Sequence, residues 1–212
     1  MTTDPPLHGR SARIVLVRHG EPDDAVRGRC YGRLDVGLSP RGYEQMRRAR
    51  RLLRQTPLSV IYSSPRRRAL ESAGVLADPQ RRVTVDDRLR EIDFGEFEGM
   101  SYDEIARRFP DAYRDWMDRP TDVVFPGGES FAAMASRVRD ALEQIRRAHA
   151  GGETVAVVAH GGVNRIALAT ALELPPRRLF RLDQAYGCVN VIDYLGDEPL
   201  VRLVNAGAGR QC

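Results

Sequence analysis

At 212 residues with 42% hydrophobic content, the chain is sized for a single α/β domain and too apolar to be disordered. Its longest apolar runs, Ile14 to Val17 and Val155 to Ala159, are too short to span a bilayer, and the first residues lack a signal-peptide layout, so a cytoplasmic protein with no membrane partner is expected. All 33 basic residues are Arg, and with 29 acidic residues they leave a net charge of +4. The two signs interleave, as in Arg137-Val138-Arg139-Asp140, which reads as solvated helix faces rather than a nucleic-acid surface.

Residues 1–11 read as a loose tail. Arg13 to Val17 predicts a buried strand, apolar without alternation, ending at Arg18-His19-Gly20. Ser39-Pro40 supplies an N-cap and a first-position proline for a helix reaching about Arg54. A second strand, Leu58 to Tyr62, closes at Ser63-Ser64-Pro65 and runs into another helix, and Arg82 to Val85 is a short strand. Leu89 to Gly99 is irregular and carries Glu91, Asp93, Glu96 and Glu98. Ser101-Tyr102-Asp103-Glu104 matches a capping box and opens a short helix, with more helix around Ala112 to Met117. Pro126-Gly127-Gly128 turns the chain into a long helix that starts at Ser130 and stops near Gly151-Gly152. Thr154 to Ala159 is a third buried strand, ending at His160-Gly161-Gly162 before a further helix, and Pro175-Pro176 breaks the chain after it. Val189 to Tyr194 and Leu200 to Val204 complete the sheet as a hairpin through Gly196-Asp197. The pattern predicts one three-layer α/β/α domain over residues 1–212, with a mostly parallel central sheet, an antiparallel edge strand and a small helical excursion near 95–125.

In such sheets ligands bind beyond the carboxyl ends of the strands. Those ends deliver Arg18 and His19, then Ser63 to Arg68, then His160. Two of the chain's four histidines directly follow buried strands and precede glycine, whereas His8 sits in the tail and His149 at a helix end. The glycines are expected to let backbone N–H groups approach an anion closely, and arginine's planar fork suits phosphoryl oxygens. Taken singly, a strand-end His is more often structural, Arg66-Arg67-Arg68 a solvated helix start, and Glu91 a surface acid. Taken together they converge on phosphoryl chemistry. Cys30, Cys188 and Cys212 lack metal or redox spacing and are expected as reduced thiols, the histidines offer no metal-binding pair, and no cofactor is expected.

Five blocks in this order resemble the histidine phosphatase superfamily, also called phosphoglycerate-mutase-like. They are Leu16-Val17-Arg18-His19-Gly20-Glu21, Ser63-Ser64-Pro65-Arg66-Arg67-Arg68-Ala69, Leu89-Arg90-Glu91-Ile92-Asp93-Phe94-Gly95, Pro126-Gly127-Gly128-Glu129-Ser130 and Ala159-His160-Gly161-Gly162. The resemblance implies His19 as nucleophile, Arg18 and Arg68 as clamps on the phosphoryl oxygens, His160 as a hydrogen-bond donor to them, and Glu91 as general acid and base with Asp93 as fallback. Gly161 joins the phosphate-binding set. Pro22 and Ala25 stand where many members have a Thr and an Asn that hold phosphate, so one or two of those contacts are expected to be missing or supplied elsewhere, for instance by Tyr31, the Gly32 backbone or Arg29. The short span from Glu91 to Gly127 and the stretch Phe94 to Gly99 resemble the phosphatase branch. The implied activity is metal-independent hydrolysis of a small phosphorylated metabolite, with α-ribazole 5′-phosphate or a sugar or glycerate phosphate as candidate substrates. The alternatives are a cofactor-dependent phosphoglycerate mutase and a non-catalytic binder of a phospho-ligand or nucleic acid. A homodimer is compatible with the sequence.

Overall fold

β1 (Arg10–Arg18) and β4 (Glu153–Ala159) run side by side and parallel through the middle of the sheet, from Ala12 opposite Glu153 to Arg18 opposite Ala159. This is a computed structural model, and it describes residues 9–77 and 82–207. Beyond β4 lie β2 (Val60–Ser63) and then β3 (Val83–Val85), both parallel to it. On the other side β5 (Val189–Leu195) runs antiparallel to β1, and β6 (Glu198–Ala206) returns antiparallel to β5. The order is β3-β2-β4-β1-β5-β6, so β5 alone runs against the rest and the predicted hairpin forms that side of the sheet. Its turn places Gly196 at φ +66, a conformation glycine adopts without steric cost.

The inner stretches of the central strands, Ile14 to Val17 and Val155 to Ala159, are apolar at every position because both of their faces are covered. Ile14, Leu16, Val155 and Val157 face one core, shared with α5 (Phe131–Ala148) and α6 (Gly161–Ala171). Val15, Val17, Ala156 and Val158 face the other, shared with α1 (Pro40–Leu52) and α2 (Arg67–Leu76). The helices begin where hydroxyls cap them: Ser39 Oγ accepts from Gly42 N–H at 3.0 Å, and Ser130 Oγ from Ala133 N–H at 3.0 Å. Ser101 and Glu104 form the complete capping box that opens α3 (Tyr102–Arg108), with α4 (Pro110–Asp118) following from a first-position proline. These two short helices are the excursion, and they pack beside the α5 core through Ile105 and Trp116.

Residues 10 and 11, expected in the tail, belong to β1: Arg10 pairs with Leu195, and Ser11 Oγ donates to the Tyr194 and Gly196 carbonyls. Residues 1–8 of the expected tail, His8 among them, and Cys212 lie outside the described residues. Cys30 and Cys188 are buried free thiols. Among the described residues, no helix is long and apolar enough to cross a membrane.

Candidate active site

Parallel register brings three strand ends level. Arg18 ends β1 opposite Ala159, and Ser63 ends β2 opposite Val158. Backbone bonds then lock the residues that follow: His19 N–H donates to Ala159 O at 2.9 Å, Gly187 N–H to His19 O at 3.1 Å, and Ser64 N–H to Val158 O at 3.0 Å. His19 and His160 are buried, with ring centroids 5.1 Å apart. His19 Nδ1 lies 2.7 Å from the Gly20 carbonyl. A carbonyl oxygen only accepts, so Nδ1 carries the proton and Nε2 a lone pair. Burial first, then the Arg68 and Arg18 charges, hold the His19 pKa well below that of a free imidazole, against the opposing pull of the Gly20 bond. Burial, followed by Arg68, His19, Arg18 and Arg66, does the same to His160. Both rings are neutral near pH 7.

Arg68, in the first turn of α2, is fully buried. Its Nη1 donates to Leu34 O at 2.8 Å and its Nη2 to Gly32 O at 3.0 Å. Arg18 Nη1 donates to Gln184 O. Each guanidinium lies over a tyrosine, Arg18 at 3.9 Å from the Tyr186 ring centre and Arg68 at 5.1 Å from that of Tyr31. The two tyrosine hydroxyls hydrogen-bond at 2.5 Å, and burial followed by this partner raises the Tyr31 pKa. Arg18, Tyr186, Tyr31 and Arg68 thus form a belt beside His19, whose ring is 5.6 Å from that of Tyr186. In the same cleft Glu91 Oε2 accepts from Gly162 N–H at 3.1 Å, in the first turn of α6, and Oε1 accepts from Ile92 N–H at 3.1 Å.

Among the described residues, five buried side-chain polar atoms lack a hydrogen-bond partner, and four are nitrogens of this cluster: Arg18 Nε, Arg66 Nε, Arg68 Nε and His160 Nδ1. Each such donor costs about 1–3 kcal/mol while unmatched, and a phosphoryl anion is a ligand that satisfies several at once. Arg18, His19, Arg68 and Glu91 line one cleft of about 250 Å³.

Several expected contacts are placed differently. The Gly32 N–H is taken by Glu98, at 3.0 Å from Oε1, so Gly32 supports Arg68 through its carbonyl rather than offering its N–H to an anion. Tyr31 does line the cleft, as does Arg29, whose Nη1 is held by the Gly99 carbonyl at 2.7 Å. Gly161 packs where a Cβ would lie 3.0 Å from Arg165 Nη1 and 3.4 Å from Arg18 Nε. Gly20 was expected to open its N–H to an anion, yet that group donates to Ser72 Oγ at 3.1 Å. Its lack of a side chain serves packing instead, because a Cβ there would stand 2.4 Å from Gly42 O on α1. Asp93 turns to the Gly95 N–H at 2.8 Å and does not line the cleft. Arg67 pairs with Glu71 on the exposed side of α2. Arg137 is no solvated face: its side chain is 12% exposed, it forks onto both Glu129 oxygens at 2.7 Å, and it donates to the Arg88, Arg90 and Glu91 carbonyls.

Four supports escaped sequence reasoning. Glu98 accepts from the Gly32, Arg33, Leu34 and Phe94 amides and so shapes the loop that grips Arg68. Ser64 Oγ lies 2.8 Å from His160 Nε2. Tyr186 completes the belt. Gln184, which holds Arg18, is fixed by buried amide bonds with Asn164 and Asn190. Ser64 lies inside one of the five blocks and Glu98 inside the Phe94 to Gly99 stretch, but neither pattern points to these contacts, and no local pattern marks Tyr186 or Gln184.

Residues 14–207 match the histidine phosphatase superfamily (branch 1). The chain is 39% identical over 149 residues to phosphoserine phosphatase 1 of Hydrogenobacter thermophilus, covering 70% of each chain. It is 37% identical over 167 residues to a metal-independent phosphoserine phosphatase of Arabidopsis thaliana, covering 76% of this chain and 69% of that one. A crystal structure described as a putative α-ribazole-5′-P phosphatase from Escherichia coli superposes with a TM-score of 0.86 at 26% identity, covering 93% of this chain and 98% of that one. The chain belongs to the histidine phosphatase superfamily, branch 1, and is a phosphomonoester hydrolase of that kind.

Proposed function

We propose that the chain hydrolyses a small phosphomonoester through a phosphohistidine on His19, with no metal taking part. The observation that carries this reading is the set of unmatched buried donors around a neutral imidazole whose Nε2 lone pair is free. Nε2 attacks phosphorus, and the phosphoryl oxygens lie against Arg18, Arg68 and Arg66 as charge spreads over them. With Ser64 donating to His160 Nε2, the Nδ1–H of His160 is left to donate to the same oxygens. The bond to the ester oxygen breaks as Glu91 gives that oxygen its proton. Glu91, now a carboxylate, takes a proton from water, and the water oxygen attacks the phosphohistidine to release inorganic phosphate and restore His19 and the protonated acid.

Phosphoserine and α-ribazole 5′-phosphate, the substrates in the relatives' names, are the first natural esters to assay. With p-nitrophenyl phosphate, turnover is expected to persist in EDTA, and rapid quenching is expected to trap a phosphoenzyme that His19→Ala cannot form. Complete loss of turnover in chelator, or a His19→Ala rate equal to wild type, overturns the proposal.

A further inference from the structure

Two kinds of side chain line the cleft: the cationic cluster with Glu91, and an apolar set of Phe94, Trp116, Phe125, Phe131 and Met134 that reaches solvent at Tyr102 and Phe180. Trp116, Phe125, Phe131 and Met134 are buried and belong to the α5-side core, so their presence alone says little about a ligand. Tyr102 and Phe180 are different. They come from separate elements, α3 and the 3₁₀ turn at Pro176–Arg181, and are 45% and 53% exposed. Tyr102 stacks on Trp116 with an interplanar angle of 19°, carrying the aromatic wall of the cleft out to solvent. Phe180 lies 5.6 Å from the Arg165 guanidinium, which itself lines the cleft. Charge in the cleft is one-sided: Arg18, Arg29, Arg68 and Arg165 line it, and among the described residues Glu91 is the only carboxylate that does.

We infer that the preferred substrate of this phosphatase is a monoester whose alcohol carries an aromatic ring and no cationic group, the ring lying against Tyr102, Trp116 and Phe180. The inference rests on the phosphatase reading above and specifies its leaving group. An aromatic ring continues the stacked Tyr102–Trp116 wall and covers apolar surface that water would otherwise meet. An ammonium group in the same space would face Arg165 and Arg29, the latter 3.4 Å from Glu104, and the one carboxylate lining the cleft beside it is Glu91, which the proposed mechanism needs protonated. Phosphoserine, the substrate in the name of a relative 39% identical, carries such a group.

Three alkyl esters, for which the alcohol's own reactivity is matched as closely as the comparison allows, test this by release of inorganic phosphate: 2-phenylethyl phosphate, ethyl phosphate and O-phosphoserine. The expected kcat/KM for the phenylethyl ester exceeds that of ethyl phosphate by about 10–100-fold, the span a well-covered ring supports. It should exceed that of phosphoserine by at least as much. In the double variant Tyr102→Ala, Phe180→Ala, two exposed positions whose loss leaves the core intact, the phenylethyl-to-ethyl ratio should fall severalfold, mainly through KM. Phosphoserine turned over as well as the phenylethyl ester, or a ratio unmoved in the double variant, overturns the inference while leaving the phosphatase reading standing. No turnover of any ester, p-nitrophenyl phosphate included, overturns both.

Discussion

Gly162→Ala asks whether Glu91 is held as closely as the proposed acid step requires. A Cβ at residue 162 would stand 2.3 Å from Glu91 Oε1 and 2.9 Å from Met134 Cε, where ordinary contact begins at 3.4 Å. The carboxylate must therefore withdraw by about 1 Å, and the 3.1 Å bond from Gly162 N–H bends or breaks with it. Misplacing a reacting group by that much costs on the order of 100-fold in rate. In the step that kcat/KM reports, Glu91 serves only as acid to the departing oxygen. The expected loss is thus about 100-fold for ethyl phosphate, but less than about tenfold for p-nitrophenyl phosphate, whose alcohol departs without a proton. Stability should move little, because alanine favours the helical conformation at this position in α6 by up to about 1 kcal/mol and offsets part of the strain. Steady-state kinetics on both esters, with a thermal melt of each protein, decide the matter. Equal losses on the two esters, or an ethyl phosphate rate within about twofold of wild type, would refute the assignment of Glu91 as acid.

Other perturbations bear on the supports. Arg137→Met leaves the Glu129 carboxylate, 14% exposed, without its cation, and removes three donors from the carbonyls around Glu91. Breaking one side of so covered a pair costs about 3 kcal/mol, readable by urea unfolding, and a loss below about 1 kcal/mol would mean that the pair behaves as an exposed one. Glu98→Gln replaces one acceptor oxygen with a donor amide that faces backbone N–H groups, so the loop holding Arg68 should loosen and KM for p-nitrophenyl phosphate rise about tenfold; an unchanged KM contradicts the role given to Glu98. The histidines also set a pH dependence of stability. Their folded pKa values lie well below 6.5, so below pH 6.5 the unfolded chain binds more protons than the native one and stability falls on acidification. Each contributes up to about 1.4 kcal/mol per pH unit until the buried ring itself protonates. His160→Gln should therefore lose less stability than wild type between pH 6.5 and 5.5, and identical slopes would show that His160 is not held neutral.

The parts of this molecule legible in its sequence are those whose cause is local. An apolar run between charged residues has few fates, so β1, β4 and the helices capped by Ser39, Ser101 and Ser130 fall within a few residues of expectation. The strand ends follow from them, because a parallel sheet places the ends of β1, β2 and β4 level and so must bring Arg18, Ser64 and His160 together. What sequence alone does not reveal is the destination of each donor. Arg137 and Arg139 look alike in the chain, yet the fold turns Arg137 onto Glu129 and the Glu91 carbonyl. Gly20 and Gly162 both follow a strand-end histidine by one or two residues, yet one admits a neighbouring helix and the other admits a carboxylate. Glu91 and Glu98 are both acids in one irregular stretch, but Glu91 reaches the cleft while Glu98 turns back onto four backbone amides. Buried polar groups must find partners, and in a loop those partners are chosen by three-dimensional proximity rather than by spacing along the chain. The residues proposed for the phosphoryl step are therefore readable from five short blocks, whereas those proposed to discriminate among esters, Tyr102, Trp116 and Phe180, share no block and come to one cleft only through the fold.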